Sequence, residues 1–88
     1  MWRAGRRPRR FGPVPQLFDK VVTLTPLTGH SGMRIGAGSE GTVVDTDPPG
    51  AHLPRGYVLE IPLAGPGVRF DLAAAKPYEI VVGQKRVG

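Results

Sequence analysis

Short runs of β-branched and aromatic residues, separated by clusters of glycine and proline, fill the chain from residue 18 onward and constrain its fold more than any other feature. Such runs fit a pleated surface, and their spacing is typical of an all-β sandwich or barrel. Thirteen glycines and ten prolines in 88 residues stand mainly between the apolar runs. No segment has the periodicity of an amphipathic helix. The sequence therefore predicts an all-β domain.

Five strands are predicted, at residues 20–25, 41–46, 57–61, 68–72 and 79–82. The third strand alternates, which places Tyr57, Leu59 and Ile61 on one face. The fourth strand also alternates, and its apolar residues Val68, Phe70 and Leu72 are expected to point inward, with Arg69 and Asp71 outward.

The connections between these strands predict an SH3-like plan. A long first loop at 26–40, a middle loop at 47–56 and the turn "PLAGPG" are followed by one helical turn in "LAAAK", before Pro77, and a short closing strand. We predict a small five-stranded SH3-like barrel with one short helical turn before the last strand. It spans residues 16–84, after an arm at 1–15 and before a tail at 85–88.

The chain then resembles known proteins. "FDKVVTL", about fifteen loop residues, "GSEGTVVDT" and "GYVLEI" resemble a family of small, largely uncharacterised bacterial SH3-like proteins with a G-T-V-V second strand. A weaker similarity links "GTVV" to KOW-type segments of ribosomal and transcription-elongation proteins, and "GHSGMRIGAGSEGTVVD" to nitrile hydratase β-subunits. The resemblance implies the barrel fold and no particular activity.

The net positive charge is confined to the N-terminal arm. The chain carries +5, and residues 1–10 contain five arginines and no acid, so the remainder is neutral. An arginine-rich arm with aromatic residues can neutralise phosphates and stack on unpaired bases. The candidate contacts to RNA or DNA are Trp2, Arg3, Arg6, Arg7, Arg9 and Arg10, with Arg34, Arg55 and Lys76 as further candidates on the barrel. A solvated, flexible tail is the other interpretation of this arm.

Three motifs suggest chemistry, and their context argues against each. "GAGSEG" matches the dinucleotide pattern G-x-G-x-x-G, but a strand and two prolines follow where a helix is required. Gly36, Gly38 and Gly41 are instead expected to supply positive φ angles. "GHSGM" lacks the last glycine of a nucleophile elbow around Ser31. His30 and His52 with nearby aspartates show no metal-ligand spacing.

These observations favour a non-enzymatic protein-binding module, without cofactor or metal, whose protein partner the sequence does not identify. The expected partner-binding loop residues are His30, Arg34, His52, Arg55 and Tyr57. Tyr57 is the one candidate for a groove aromatic, so the sequence argues against a peptide groove of the usual aromatic-rich kind, and Phe18, Phe70 and Tyr78 are expected to pack in the core or at its edge. A nucleic-acid-binding accessory protein that uses the arm is the alternative.

Localisation is predicted from what the sequence lacks. Without cysteine there is no disulfide framework, which fits a reducing compartment such as the cytoplasm. The longest uncharged stretch, residues 21–33, is too short and too polar for a membrane helix, so no membrane association is expected.

Overall fold

A computed structural model describes residues 13–83 and consists mainly of β-strands. Five strands form an antiparallel sheet in the order β6-β5-β4-β1-β7, and two short strands form a separate hairpin, β2-β3. The strands are β1 (Lys20–Thr23), β2 (Leu27–Thr28), β3 (Arg34–Ile35), β4 (Glu40–Asp47), β5 (Gly56–Pro62), β6 (Phe70–Ala75) and β7 (Ile80–Val82). Within the described residues β6 and β7 do not pair, so the sheet is open and closure into a barrel is not confirmed.

The longest strand, β4, bends at a β-bulge. Its pairing with β5 shifts register between Val43 and Asp45, which adds one residue to β4 and increases its local twist. The buried positions consequently change parity, from Gly41 and Val43 before the bulge to Thr46 after it. The bend allows one strand to pair with β1 at its start and with β5 along most of its length.

The inward face of β6 is opposite to the one predicted. Directly paired residues of antiparallel strands point to the same face, and β6 pairs Asp71 with Ile61 and Ala73 with Leu59. Because β5 turns Leu59 and Ile61 into the core, as predicted, Asp71 and Ala73 point inward with them.

The apolar residues of the predicted fourth strand are correspondingly outside the core. Phe70 is exposed, Leu72 is half-buried, and Val68, with 97% of its surface exposed, lies in the loop before β6. Hydrophobicity alone therefore gave the wrong face, since the register with β5 decides it.

The long first loop contains the β2-β3 hairpin, which packs on β6. Leu27 and Ile35 pair across the hairpin and are both buried. A β-bridge between Gly29 and Ala73 joins the hairpin to the edge of the sheet, and the absence of a side chain at Gly29 permits this close approach, because a Cβ there would collide with the Asp71 carboxylate. The predicted loop is therefore a part of the core.

The segment "GAGSEG" is attached to the end of β1 by Thr23. The Thr23 hydroxyl donates to the Gly36 carbonyl at 3.1 Å and accepts from the Ser39 amide at 3.0 Å. Gly38 has φ +86, as expected, but Gly36 and Gly41 have no positive φ. Position 41 requires glycine because it has no room for a side chain: a Cβ there would lie 2.7 Å from Ile61 Cδ1.

The helical turn lies later than predicted. Residues 72–75 of "LAAAK" belong to β6, and a 3-10 turn forms at Pro77–Glu79, immediately before β7. Pro77 begins the turn rather than ending it, since its fixed φ suits the first helical position and no amide donor is needed there.

Three aromatic residues expected in the core or at its edge are exposed. Phe18 and Tyr78 each have 74% of their surface accessible, and Phe70 has 53%. Phe18 also adopts a left-handed φ of +71, and its amide donates to the Val43 carbonyl at 2.7 Å.

In the part of the chain that the structure describes, no helix has the length and apolar character to cross a membrane.

Candidate functional site: an apolar groove beside Tyr57

One groove of about 390 Å³ has walls that are predominantly apolar. Five separate segments contribute to it: the residues before β1, the end of β1, the middle loop with the start of β5, the 3-10 turn, and β7. Its lining residues, which we call the apolar groove, are Pro13, Val14, Pro15, Leu24, Leu53, Pro54, Tyr57, Pro77, Tyr78, Ile80 and Val81. Four of these are prolines and two are tyrosines, which are rigid, flat contact surfaces.

Tyr57 joins the N-terminal wall of the groove to the sheet. Its ring is buried and its hydroxyl donates a 3.1 Å hydrogen bond to the carbonyl of Pro15. Burial, and then the negative charge of Asp19, raise the pKa of the Tyr57 phenol above its ordinary value, so the hydroxyl keeps the proton that it donates. A turn follows in which the Gln16 amide donates to the Asp19 carboxylate at 2.9 Å, and this turn directs the chain into β1.

The start of the middle loop is held by the side chain of Thr46. The buried Thr46 hydroxyl donates to the Pro48 carbonyl and accepts from the Gly50 amide, each at 3.0 Å. The loop closes where the Arg55 amide donates to the Asp47 carbonyl at 2.7 Å. Leu53, in the second half of this loop, has 75% of its surface exposed, so its apolar side chain is accessible to a partner.

The opposite wall is the 3-10 turn, which Glu79 fixes at both ends. The Glu79 carboxylate accepts from the Lys76 amide at 2.8 Å, and the Glu79 carbonyl accepts from the Leu24 amide at 2.7 Å. Tyr78 projects from this turn with most of its ring exposed. The fixed backbone of this turn therefore carries an exposed aromatic ring at the edge of the groove.

Two of the predicted partner-binding residues lie at or beside the groove. Tyr57 lines it, and Arg55 borders a neighbouring depression that also contains Tyr57 and Lys76. His52 is exposed in the middle loop, one residue before Leu53. The depression also holds Asp47 and Glu79, so its charges are balanced.

The other two predicted residues, His30 and Arg34, belong to the β2-β3 hairpin segment and not to the groove. Both are exposed, and the His30 amide donates to the Leu72 carbonyl of β6 at 2.6 Å. The five predicted residues consequently do not form one surface. Arg34 lies on β3, and His30 lies in the turn between β2 and β3.

Ser31, which the sequence placed in an incomplete nucleophile motif, is bound to Asp71. Its hydroxyl donates to the Asp71 carboxylate at 2.6 Å, and its amide donates to the same carboxylate at 3.3 Å. The Ser31 hydroxyl bond is the largest cause of a lowered pKa at Asp71, partly opposed by desolvation and aided by the Leu72 amide and by His30. The pair fixes the hairpin to β6, and the serine proton is engaged by a carboxylate rather than by a histidine base.

The arm residues Trp2, Arg3, Arg6, Arg7, Arg9 and Arg10 lie outside the described residues. Between residues 13 and 83, no group of three or more histidine, aspartate or glutamate side chains is arranged to hold a metal ion.

Sequence reasoning missed most of the apolar groove. Leu24, Leu53 and Tyr78 are far apart in the chain, and nothing in their local sequence indicates that they meet. The one usable signal was proline, since Pro13, Pro15, Pro54 and Pro77 all line this surface.

No protein-family model, curated protein or solved structure matches this chain.

Proposed function

We propose that this chain is a non-enzymatic SH3-like binding module of the cytoplasm that holds an extended, proline-containing segment of a partner protein in the apolar groove. The observation that carries the proposal is the groove itself, with a volume of about 390 Å³ and walls of proline, tyrosine and leucine. Grooves of this composition suit polyproline II segments, which are extended before binding and lose little entropy when bound.

The order of elements supports the SH3-like part of the proposal. A long first loop with its own hairpin, a middle loop, the β5-β6 hairpin, a 3-10 turn and a short last strand follow one another along the chain. The bulged β4 pairs with β1 and with β5, so it can belong to two halves of a curved sheet. A bent sheet of this kind is compatible with a small, partly open barrel.

The chain's own N-terminal segment supports the choice of occupant. Pro13, Val14 and Pro15 lie along one wall, and the carbonyl of Pro15 accepts the Tyr57 hydrogen bond. A proline-containing segment is thus chemically compatible with this surface. A partner segment of the same character would lie in the remaining space, between the N-terminal wall and the exposed faces of Leu53 and Tyr78.

Charge favours a protein partner over nucleic acid for the described part of the chain. Residues 13–83 contain five lysines and arginines and seven aspartates and glutamates, so this part has no excess of positive charge to neutralise phosphates. Binding of RNA or DNA would depend on the N-terminal arm.

The proposal is tested by selecting peptides from a random display library with the full chain and mapping the bound peptide by NMR. We expect enrichment of proline-rich, aliphatic peptides, with shifts centred on Leu24, Leu53, Tyr57 and Tyr78. Leu53→Ser and Tyr78→Ser should abolish the enrichment, because each removes a large exposed contact from the groove.

The matched control is Val68→Ser, which changes an exposed aliphatic residue away from the groove. This variant should select the same peptides as the natural chain. Thermal unfolding of all three variants checks that they remain folded. Selection without any enriched peptide, or enrichment that survives both groove substitutions, would contradict the proposal.

A further inference from the structure

We infer that two copies of this chain form a dimer by exchanging residues 13–15, the N-terminal wall of the apolar groove, so that each copy supplies this wall to the other. The hinge is the turn at residues 16–19, which we call the hinge turn. The exchange concerns the wall of the groove and not a ligand within it, so it goes beyond the proposed function.

The N-terminal wall is attached to the rest of the fold by few contacts. Pro13 and Pro15 have no amide hydrogen to donate. In the part of the chain that the structure describes, the one long-range hydrogen bond to this wall is the 3.1 Å bond from the Tyr57 hydroxyl to the Pro15 carbonyl. Pro15 is buried, whereas Pro13 and Val14 are exposed. One buried ring and one hydrogen bond therefore hold the wall, and the groove of a second copy offers the same contacts.

The hinge turn is strained at Phe18. The Asp19 amide donates to the Gln16 carbonyl at 3.0 Å, and Phe18, the third residue of the turn, has a φ of +71. Glycine or asparagine normally occupies such a position, because a positive φ brings the Cβ of other residues too close to their own backbone. Between residues 13 and 83, Phe18 is the one residue other than glycine with a positive φ. Opening the turn removes this strain from both copies, and strained hinges favour exchange.

The open hinge turn can deliver the wall to a neighbour. A closed turn keeps its terminal Cα atoms within about 7 Å, whereas four extended residues span about 10 Å and no longer reverse the chain. Under a two-fold axis the exchange is reciprocal, so both grooves are complete. The contacts of the wall are the same in the monomer and in the dimer. The balance therefore depends on the hinge turn and on the entropy of association.

The hinge turn also carries apolar surface that a second copy can cover. Leu17 has 40% of its surface exposed, and Phe18 has 74%. Phe18 borders a depression of about 500 Å³ that Val22 and Val82 also line. In a two-fold dimer the two open hinges run past each other in opposite directions, and burial of Phe18 between the copies stabilises the dimer.

The test uses the full chain, refolded at about 500 µM so that exchange can occur during folding. Sedimentation equilibrium should show a monomer–dimer equilibrium between about 10 µM and about 1 mM. Isotope-labelled and unlabelled chains are then refolded together, and isotope-filtered NMR detects contacts between copies. We expect nuclear Overhauser effects between the Tyr57 ring of a labelled copy and Pro15 of an unlabelled copy, because these groups meet across the dimer only after exchange.

Two substitutions of Phe18 separate hinge strain from simple surface contact. Phe18→Gly removes the strain from the closed turn and should weaken the dimer at least about tenfold. Phe18→Val places a β-branched residue at a positive φ, which increases the strain, and should tighten the dimer about threefold or more. A dimer held only by the exposed Phe18 ring would weaken in both variants. Val68→Gly is the control, because it removes an exposed side chain far from the hinge in sequence, and it should leave the dissociation constant unchanged.

Several results would overturn the exchange. They are a dimer without Tyr57–Pro15 effects between copies, a weaker dimer in Phe18→Val, and a monomer at every concentration in the natural chain. Thermal unfolding checks that each variant folds. If Phe18→Val does not fold, Phe18→Gly decides, since a dimer as tight as that of the natural chain would exclude a role for hinge strain. None of these measurements involves a peptide, so the exchange and the proposed function stand or fall separately.

Discussion

The hydroxyl of Tyr57 donates a 3.1 Å hydrogen bond to the carbonyl oxygen of Pro15. This bond connects residues that are 42 positions apart in the sequence, and it holds the segment before β1 against the start of β5. Because Tyr57 is buried, few other partners are available to its hydroxyl. One side chain thus belongs to the core through its ring and forms the groove wall through its oxygen.

Replacement of Tyr57 by phenylalanine should lower the free energy of unfolding by about 0.5–1.5 kcal/mol. The substitution removes the hydrogen bond to Pro15 and keeps the ring in place. Urea unfolding followed by circular dichroism measures the change. Tyr78→Phe is the control, since its hydroxyl is on an exposed ring, and it should change stability by less than about 0.5 kcal/mol. Equal effects of the two substitutions would contradict the role of the Pro15 bond.

Replacement of Ser31 by alanine should make the fold more sensitive to acid. In the native chain the pKa of Asp71 is lowered, mainly by the Ser31 hydroxyl. Because its native pKa is lowered, the ionised Asp71 carboxylate stabilises the fold at pH values above the ordinary carboxyl pKa of about 3.9. This stabilisation is lost as the pH falls through the native pKa. In Ser31→Ala the pKa of Asp71 should rise, and the midpoint of acid unfolding should move to higher pH.

The acid-unfolding result can be checked in a second background. With Asp71 replaced by asparagine there is no carboxylate to titrate. The pH midpoint of acid unfolding should therefore be the same in the double variant, Asp71→Asn with Ser31→Ala, as in Asp71→Asn alone. An NMR titration of the Asp71 carboxyl in the natural chain and in Ser31→Ala gives the same comparison directly. An unchanged Asp71 titration would show that Ser31 does not set this pKa.

Gly29→Ala should destabilise the fold by about 1–3 kcal/mol through overpacking. A Cβ at this position would lie 2.8 Å from Asp71 Cγ and would collide with the carboxylate that Ser31 binds. Gly36→Ala is the control, because a Cβ there meets no atom within 4 Å and the backbone has no positive φ. Thermal unfolding of both variants measures the difference, and similar melting temperatures would show that the hairpin can move away from β6.

Thr23→Val should destabilise the fold by about 1–3 kcal/mol, although the two side chains are nearly equal in size. The hydroxyl that bonds to Gly36 and Ser39 is lost, and Thr23 is almost completely buried, with 1% of its surface accessible. The same substitution at Thr28, an exposed residue of β2, controls for strand propensity. Chemical unfolding of the two variants tests whether the "GAGSEG" segment depends on this attachment.

The sequence predicted β4 and β5 well because each is a run of strand-forming residues, and β5 also alternates clearly. It predicted the wrong buried face for β6, because an alternating pattern identifies the two faces of a strand but does not say which of them is buried. The register with β5 makes that choice, and it buries Asp71 because Ser31 supplies a hydrogen bond. Local hydrophobicity contains no information about either partner.

The candidate site was harder to predict than the fold for a related reason. The sequence offered Tyr57 as the one candidate groove aromatic and argued against an aromatic-rich groove, whereas the structure places both Tyr57 and Tyr78 along one groove. The groove residues Leu24, Leu53 and Tyr78 come from three distant segments, and the exposure of each depends on backbone bonds such as that between Leu24 and Glu79. A surface assembled in this way can be recognised only after the strands have been placed.

The antiparallel pairing of β1 with β7 brings the entry and exit of the sheet together. Lys20 begins β1, and its carbonyl accepts a 2.8 Å hydrogen bond from the amide of Gly83, one residue after β7. Because the start of β1 and the residue after β7 are adjacent, the five-stranded sheet is entered and left at the same place. A circular permutation could therefore open the chain at the loop between Pro62 and Phe70, with a linker that joins residue 83 to the segment before β1.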